Sequence, residues 1–119
     1  MKRPSHKEIT KKLVQAKNAV EKNKILYINQ SALISDALEL GFLFKDDIKK
    51  ILTELLSAVT PDDYVGGRPP HKSYESKIVG IELFAFKIKS YLLNDIIYFK
   101  FAVVNNYFYL VSLHKHRPK

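Results

Sequence analysis

Near the C-terminal end of the chain, a tyrosine, a lysine, a serine and a histidine occur as two pairs at two-residue spacing, Tyr98-x-Lys100 and Ser112-x-His114. In an extended strand that spacing sends both members of a pair to the same face. An imidazole titrates nearest neutrality and serves as base or acid. An ammonium is a fixed charge for a phosphate, and a phenol can donate a proton or stack on a nucleobase. Metal-free cleavage of RNA needs groups of this kind. A base takes the 2′-hydroxyl proton, a cation offsets charge building on phosphorus, and an acid protonates the departing 5′-oxygen. The candidate catalytic residues are therefore Tyr98, Lys100 and His114, with Ser112 and Lys87 as substrate-binding neighbours. The same set also fits the solvated face of an amphipathic sheet, and residue types alone leave both readings open.

These side chains meet only in the right hairpin register. Ile96 to Val104 and Tyr107 to His114 are rich in β-branched and aromatic residues and flank Asn105-Asn106, so they read as paired strands. A two-residue turn would oppose Lys100 to Val111 and Phe99 to Ser112, mixing polar and apolar residues on both faces. A three-residue turn, Asn105 to Tyr107, opposes Phe99 to Leu113 and Phe101 to Val111 on one face. On the other it opposes Tyr98 to His114 and Lys100 to Ser112, with opposed Cβ atoms about 5 Å apart. The three-residue turn is the expected one, because asparagine tolerates the left-handed backbone it needs.

The elements upstream must support that sheet. Ser5 and Glu8 fit a capping box, followed by Ile9, Leu13, Ala16 and Val20 at helical spacing, with Lys7, Lys11, Lys12, Lys17 and Lys22 outside. Lys24 to Tyr27 reads as a short extended link. A second helix is expected from Ser31 to Gly41, and a third begins at Asp46 or Asp47. Its apolar face is Ile48, Ile51, Leu52, Leu55, Leu56 and Val59, and Thr60-Pro61 stops it. Residues 60–73 form a basic loop with Gly66, Gly67, Pro69 and Pro70. Within it Arg68 and Lys72 either grip a substrate anion or are solvated charge, and His71 is a further substrate-binding candidate or an inert exposed-loop residue. Ile78 to Ile88 reads as the first of three strands. The expectation is one α+β domain over residues 1–119. Helices in 1–59 pack on one face of an antiparallel sheet of three strands, or slightly more, in 74–116.

Composition limits the partners. At 119 residues with 46% hydrophobic and 12% aromatic content, the chain has the means for a core and is not a disordered class. The absence of cysteine excludes disulfides, thiolate zinc sites and cysteine nucleophiles, which suits a reducing cytoplasm. The net charge of +8 divides into +6 over residues 1–24, −4 over 25–63 and +6 over 64–119. Two basic parts around an acidic middle point to a polyanion. No apolar run approaches the roughly 18 residues of a membrane span, and the basic Met1–His6 segment is not followed by an apolar leader stretch. Neither a membrane nor a cofactor is expected. A metal site is not expected either, since His114-x-His116 is the only close histidine pair.

Three stretches, together running from about residue 5 to residue 116, resemble the MqsR-like mRNA interferase toxins of bacterial toxin–antitoxin pairs. Ser31-Ala32-Leu33 through Glu39-Leu40-Gly41-Phe42 is similar to that family's second helix. Asp62-Asp63-Tyr64 with Gly66-Gly67 is similar to the segment after its long helix. Tyr98-Phe99-Lys100 through Val111-Ser112-Leu113-His114 is similar to its last hairpin. The resemblance implies a RelE/RNase-type α+β fold and a metal-independent endoribonuclease that cuts mRNA at short sequences. It also implies a neutralising antitoxin protein as partner, and a site using the tyrosine at Tyr98 and the basic residue at His114. The family's hairpin is one residue shorter between these two positions, so the resemblance too asks for the three-residue turn. Two positions depart from the pattern. Val65 stands where the family has a basic residue after the tyrosine, leaving Arg68 or Lys72 to substitute. Ala85 follows Phe84 where a polar residue is usual.

Two further readings stay in view: a non-catalytic module that binds RNA on the same sheet face by stacking and charge, and an interaction protein whose basic arm and sheet edge engage an acidic partner.

Overall fold

Ser5 starts the first helix as expected: its Oγ accepts the backbone N–H of Glu8 at 3.2 Å, and helix α1 runs His6–Glu21. In the computed structural model, which describes residues 3–117, two more helices follow, α2 Gln30–Leu40 and α3 Phe44–Ala58. Met1, Lys2 and Lys119 of the basic ends lie outside the described residues. Gly41, at φ +88°, closes α2 in the left-handed conformation that glycine adopts without a Cβ clash. The helix starts sit slightly upstream of expectation. Asn29 rather than Ser31 caps α2, its side chain accepting the Ala32 N–H. Leu43 precedes α3, with Asp47 accepting the Leu43 N–H at 3.3 Å from inside the first turn. Among the described residues, no helix is long and apolar enough to cross a membrane.

The sheet has four strands and is mixed. β1 Ile25–Tyr27, β2 Phe84–Ser90, β3 Asp95–Val104 and β4 Tyr107–Lys115 lie in the order β1-β4-β3-β2. The β2–β3 and β3–β4 pairs are antiparallel. The expected link at Lys24 to Tyr27 is instead a strand, parallel to β4 and paired Ile25 with Phe108 and Tyr27 with Leu110. Three residues are too few to show alternation, and the partner lies some eighty positions away. The first hairpin strand also begins later than expected, at Phe84 rather than Ile78. Gly80 breaks the extended run at φ +77°, and residues 76–78 form a 3₁₀ turn. Ile78, Ile81 and Leu83 fold over Ala102, Tyr109 and Val111 on the outer sheet face, with Ile28 beside them.

The last hairpin corrects the expected turn. Asn105 and Asn106 both have positive φ, 53° and 66°, so they form the two-residue turn that matches sheet twist. From it Val104 pairs with Tyr107, Val103 with Phe108 and Phe101 with Leu110. The register then shifts between Lys100 and Phe101, and beyond the shift Lys100 pairs with Ser112, Phe99 with Leu113 and Tyr98 with His114. The expected pairing of Phe101 with Val111 is absent, because Val111 is the extra residue of a β-bulge. The bulge also reassigns faces. Phe108, Leu110 and Leu113 point into the core, whereas Tyr109 and Val111, expected on the dry face, lie outside.

Helices α1 and α3 cover the inner face. Ile9, Leu13, Ala16 and Val20 from α1 and Ile48, Ile51, Leu52, Leu55 and Leu56 from α3 join five fully buried phenylalanines. Phe86 stacks on Phe99 and Phe101 with centroids 5.7 and 5.8 Å apart, and Phe101 on Phe108 at 5.0 Å. Offset aromatic pairs of this kind add about 0.5–1.5 kcal/mol each beyond area burial. Glu54 of α3 ties the β2–β3 turn to the helices by accepting the Ser90 hydroxyl at 2.5 Å and the Tyr91 N–H at 3.0 Å. Phe101 contacts two strands of this ladder. Phe101→Ala is expected to lower unfolding free energy by about 3–5 kcal/mol, measured by urea denaturation, whereas a loss under 1 kcal/mol would show that the ladder is not the centre of the core.

Candidate functional site

Beyond the bulge, the outer sheet face carries three rows of side chains. Ala85, Lys100 and Ser112 form one row across β2, β3 and β4, and Lys87, Tyr98 and His114 form the next. The expected opposition of Tyr98 to His114 and Lys100 to Ser112 is present. Lys87, expected nearby, is the direct β2 neighbour of Tyr98. The third row starts from Ile96, whose carbonyl accepts the His116 N–H at 2.8 Å.

The Tyr98 and His114 rings stack at 5.0 Å between centroids and 21° between planes. His114 Nδ1 lies 2.8 Å from the Lys115 carbonyl oxygen. A carbonyl oxygen only accepts, so Nδ1 is the donor and carries hydrogen, and in the neutral ring the lone pair is on Nε2. The backbone thereby selects the tautomer with a free basic nitrogen. Burial pushes the Tyr98 phenol above its ordinary value of 10.0, so it stays a protonated donor at neutral pH. Lys87 and Lys100 are partly buried and have no ion-pair partner among the described residues, whereas the nearby Lys115 is held by Asp95 at 3.5 Å and Arg117 by Asp36 at 3.3 Å.

Two adjoining clefts open on this face. One, of about 720 Å³, is lined by Lys87, Tyr98, Lys100, Ser112, His114 and the tail residues His116 and Arg117. The other, of about 450 Å³, lies between the sheet and the basic loop and includes His71 and Lys72. Val65, Tyr98 and Lys100 line both, joining them into one groove. No family model matches the chain, and no curated protein matches it either. The chemistry of this groove is therefore read from its own residues.

The basic loop is anchored by Tyr64, a buried residue whose importance composition does not show. Its hydroxyl donates to the Gly67 carbonyl at 2.6 Å, and its ring meets Phe86 edge-on at 5.6 Å. The His71 ring packs so closely on Gly67 that a Cβ there would collide with it. The Lys72 backbone pairs antiparallel with that of Glu82, and the His71 carbonyl accepts the Leu83 N–H at 2.8 Å. These bonds carry His71 and Lys72 to the groove. Arg68 stands apart from both clefts: its guanidinium lies over the Tyr64 ring at 5.0 Å and donates to the Pro4 carbonyl at 3.4 Å. Val65, at the position where the resemblance looks for a base, does line the groove but brings no charge. Ala85, at the position of the usual polar residue, sits beside Lys100. Among the described residues no three His, Asp or Glu side chains come together in a way that could hold a metal ion.

Tyr27, Tyr64 and Tyr98 all have phenols raised above 10.0, chiefly by burial. A group whose folded pKa is raised contributes stability that is complete below its unfolded value and is lost as pH rises through the folded one. Stability is accordingly expected to fall above about pH 10, read as a declining urea midpoint, and Tyr98→Phe should make that decline shallower. An unchanged slope in Tyr98→Phe would show that the Tyr98 phenol is solvated like an unfolded one.

Proposed function

We propose that this chain is an endoribonuclease that cleaves mRNA by 2′-hydroxyl attack, the toxin of a type II toxin–antitoxin pair of the MqsR-like kind. The observation that carries the reading is the Tyr98–His114 stack, with His114 Nδ1 bonded to Lys115 so that Nε2 holds the lone pair, and two lysines alongside that have no ion-pair partner among the described residues. His114 Nε2 takes the proton of the 2′-hydroxyl as that oxygen bonds to phosphorus. The bond from phosphorus to the 5′-oxygen breaks, and the leaving oxygen takes the Tyr98 phenolic proton. Lys100 and Lys87 offset the charge gathered on the phosphoryl oxygens. The products are a 2′,3′-cyclic phosphate and a 5′-hydroxyl, and no metal takes part. Ser112, His71 and Lys72 hold the substrate along the groove.

The RelE/RNase-type fold belongs to the same proposal, and so do a cytoplasmic location and a neutralising antitoxin protein. The hairpin supports the family reading in one particular. The chain has one residue more than the family between Tyr98 and His114, and the bulge at Val111 absorbs one residue while keeping the two rings opposed.

Purified protein incubated with mRNA in EDTA tests the activity. Cleavage yielding 2′,3′-cyclic phosphate ends is expected. His114→Ala and Tyr98→Phe should each lower the rate by about 10²–10⁴-fold, the usual worth of a positioned acid or base. Intact RNA with retained, salt-sensitive binding would reject the enzyme and leave a binding module on the same face. Lys100→Ala should slow single-turnover cleavage by a larger factor than it weakens RNA binding, since its charge acts most on the transition state. Equal losses in rate and affinity would reduce Lys100 to a tether.

A further inference from the structure

The smaller cleft contains two side chains that the cleavage chemistry does not use. Tyr74 is 97% exposed, an unusual state for so large an aromatic residue, yet it lines the cleft together with Glu75. The Glu75 carboxylate has no hydrogen bond or ion pair among the described residues. Leu83, Ala85 and Val111 give the same cleft an apolar part. Its volume of about 450 Å³ falls within the range of about 300–1,000 Å³ usual for small-molecule sites.

The segment that presents these residues has little regular secondary structure but is closely held. Ser73, only 4% exposed, donates its N–H to the Ile81 carbonyl and accepts the Gly80 N–H on its own carbonyl, at 2.9 and 2.8 Å. Its hydroxyl accepts the Glu75 N–H at 3.0 Å. Tyr74 therefore projects from a fixed backbone between two pinned residues. An exposed aromatic ring beside an apolar surface suits a flat, polarizable ring, and the neighbouring Lys72 and Lys100 suit a phosphate joined to it.

We propose that this cleft is a nucleobase subsite for the nucleotide adjoining the scissile phosphate, with Tyr74 stacking on the base and Glu75 accepting from its Watson–Crick edge. A carboxylate accepts but does not donate at neutral pH, so the subsite favours guanine, whose ring N–H and neighbouring amino group are two adjacent donors, over adenine and cytosine, which present one amino group each. Uracil, with two carbonyls flanking a single N–H, is disfavoured. This assignment rests on the reading of the Tyr98–His114 face as the cleavage centre for the position of the nucleotide, while the stacking itself is independent of cleavage.

Binding of fluorescent single-stranded RNA oligomers at low salt, followed by mapping of cleavage sites, tests it. Tyr74→Ala is expected to weaken binding by about 5- to 150-fold, the range for loss of one stacked base, and Tyr74→Phe to restore it. Because Tyr74 is almost fully exposed, neither change disturbs folding. Glu75→Gln should reduce the preference for oligomers with guanine over uridine oligomers. Unchanged affinity in Tyr74→Ala and unchanged preference in Glu75→Gln would overturn the subsite, even if the wild type cleaves RNA. Wild-type protein that binds RNA in this pattern but leaves it intact would overturn the nuclease and uphold the subsite. Failure of the wild type to bind RNA at low salt would overturn both.

Discussion

Val111 and Ser112 of β4 both stand against the single residue Lys100 of β3, and the character of the outer face depends on that irregularity. The two-residue Asn105-Asn106 turn starts a register which, continued without interruption, would set Tyr98 against Leu113 and turn His114 toward the helices. One additional residue restores the alternation. Leu113 goes into the core, and Ser112 and His114 go to the open face. The extra side chain is not exposed as a consequence. Val111 packs with Ala102, Ile78 and Leu83 in the small apolar cluster that covers the neighbouring part of the sheet.

The two sheet faces thus have different tasks. The inner face is a stack of phenylalanines from β2, β3 and β4 clamped by α1 and α3, and it gives the strands little freedom to slide. The outer face is divided. Residues 78–83 cover one half, and the other half stays open as a groove. Tyr98 and Lys100 lie on β3 between two paired strands, and Ser112 and His114 are laddered to β3, which suits acid–base chemistry better than a mobile loop does. The loop residues that border the groove are made nearly as fixed by other means, through the buried Tyr64 ring, its bond to Gly67 and the bridges to Ala85, Ile81 and Leu83.

Charge follows the same division. Several exposed cations are neutralised locally, Arg3 by Glu82 and Glu8, Lys115 by Asp95 and Arg117 by Asp36. Lys87 and Lys100 have no such partner among the described residues, and they flank the stacked rings. Positive charge on a concave surface focuses the field toward an incoming anion, whereas cations paired on the convex surface contribute little at that distance.

Much of the fold was legible locally. Ser5 with Glu8, Gly41, and the spacing of Ile48, Ile51, Leu52, Leu55 and Leu56 specify helices through caps and a 3.6-residue period, signals that lie within a few residues of one another. The polarity of Tyr98, Lys100, Ser112 and His114 also sufficed to pair them correctly, because only one register buries Phe99 with Leu113. The route to that register was not legible. Polarity sets which residues oppose one another, but it does not separate a longer turn from a short turn followed by a bulge. That choice was made by packing: Phe108 and Leu110 reach the core only if the turn has two residues. Likewise β1 pairs with a strand far along the chain, the 78–83 segment leaves the sheet at Gly80 to cover it, and Tyr74 lines a cleft. Each of these rests on contacts between distant segments. Sequence by itself determined the helices, the polar and apolar sides of the last hairpin and its basic character. Tertiary structure alone decided which residues share the groove, since short strands and loops have too little internal periodicity to specify their partners.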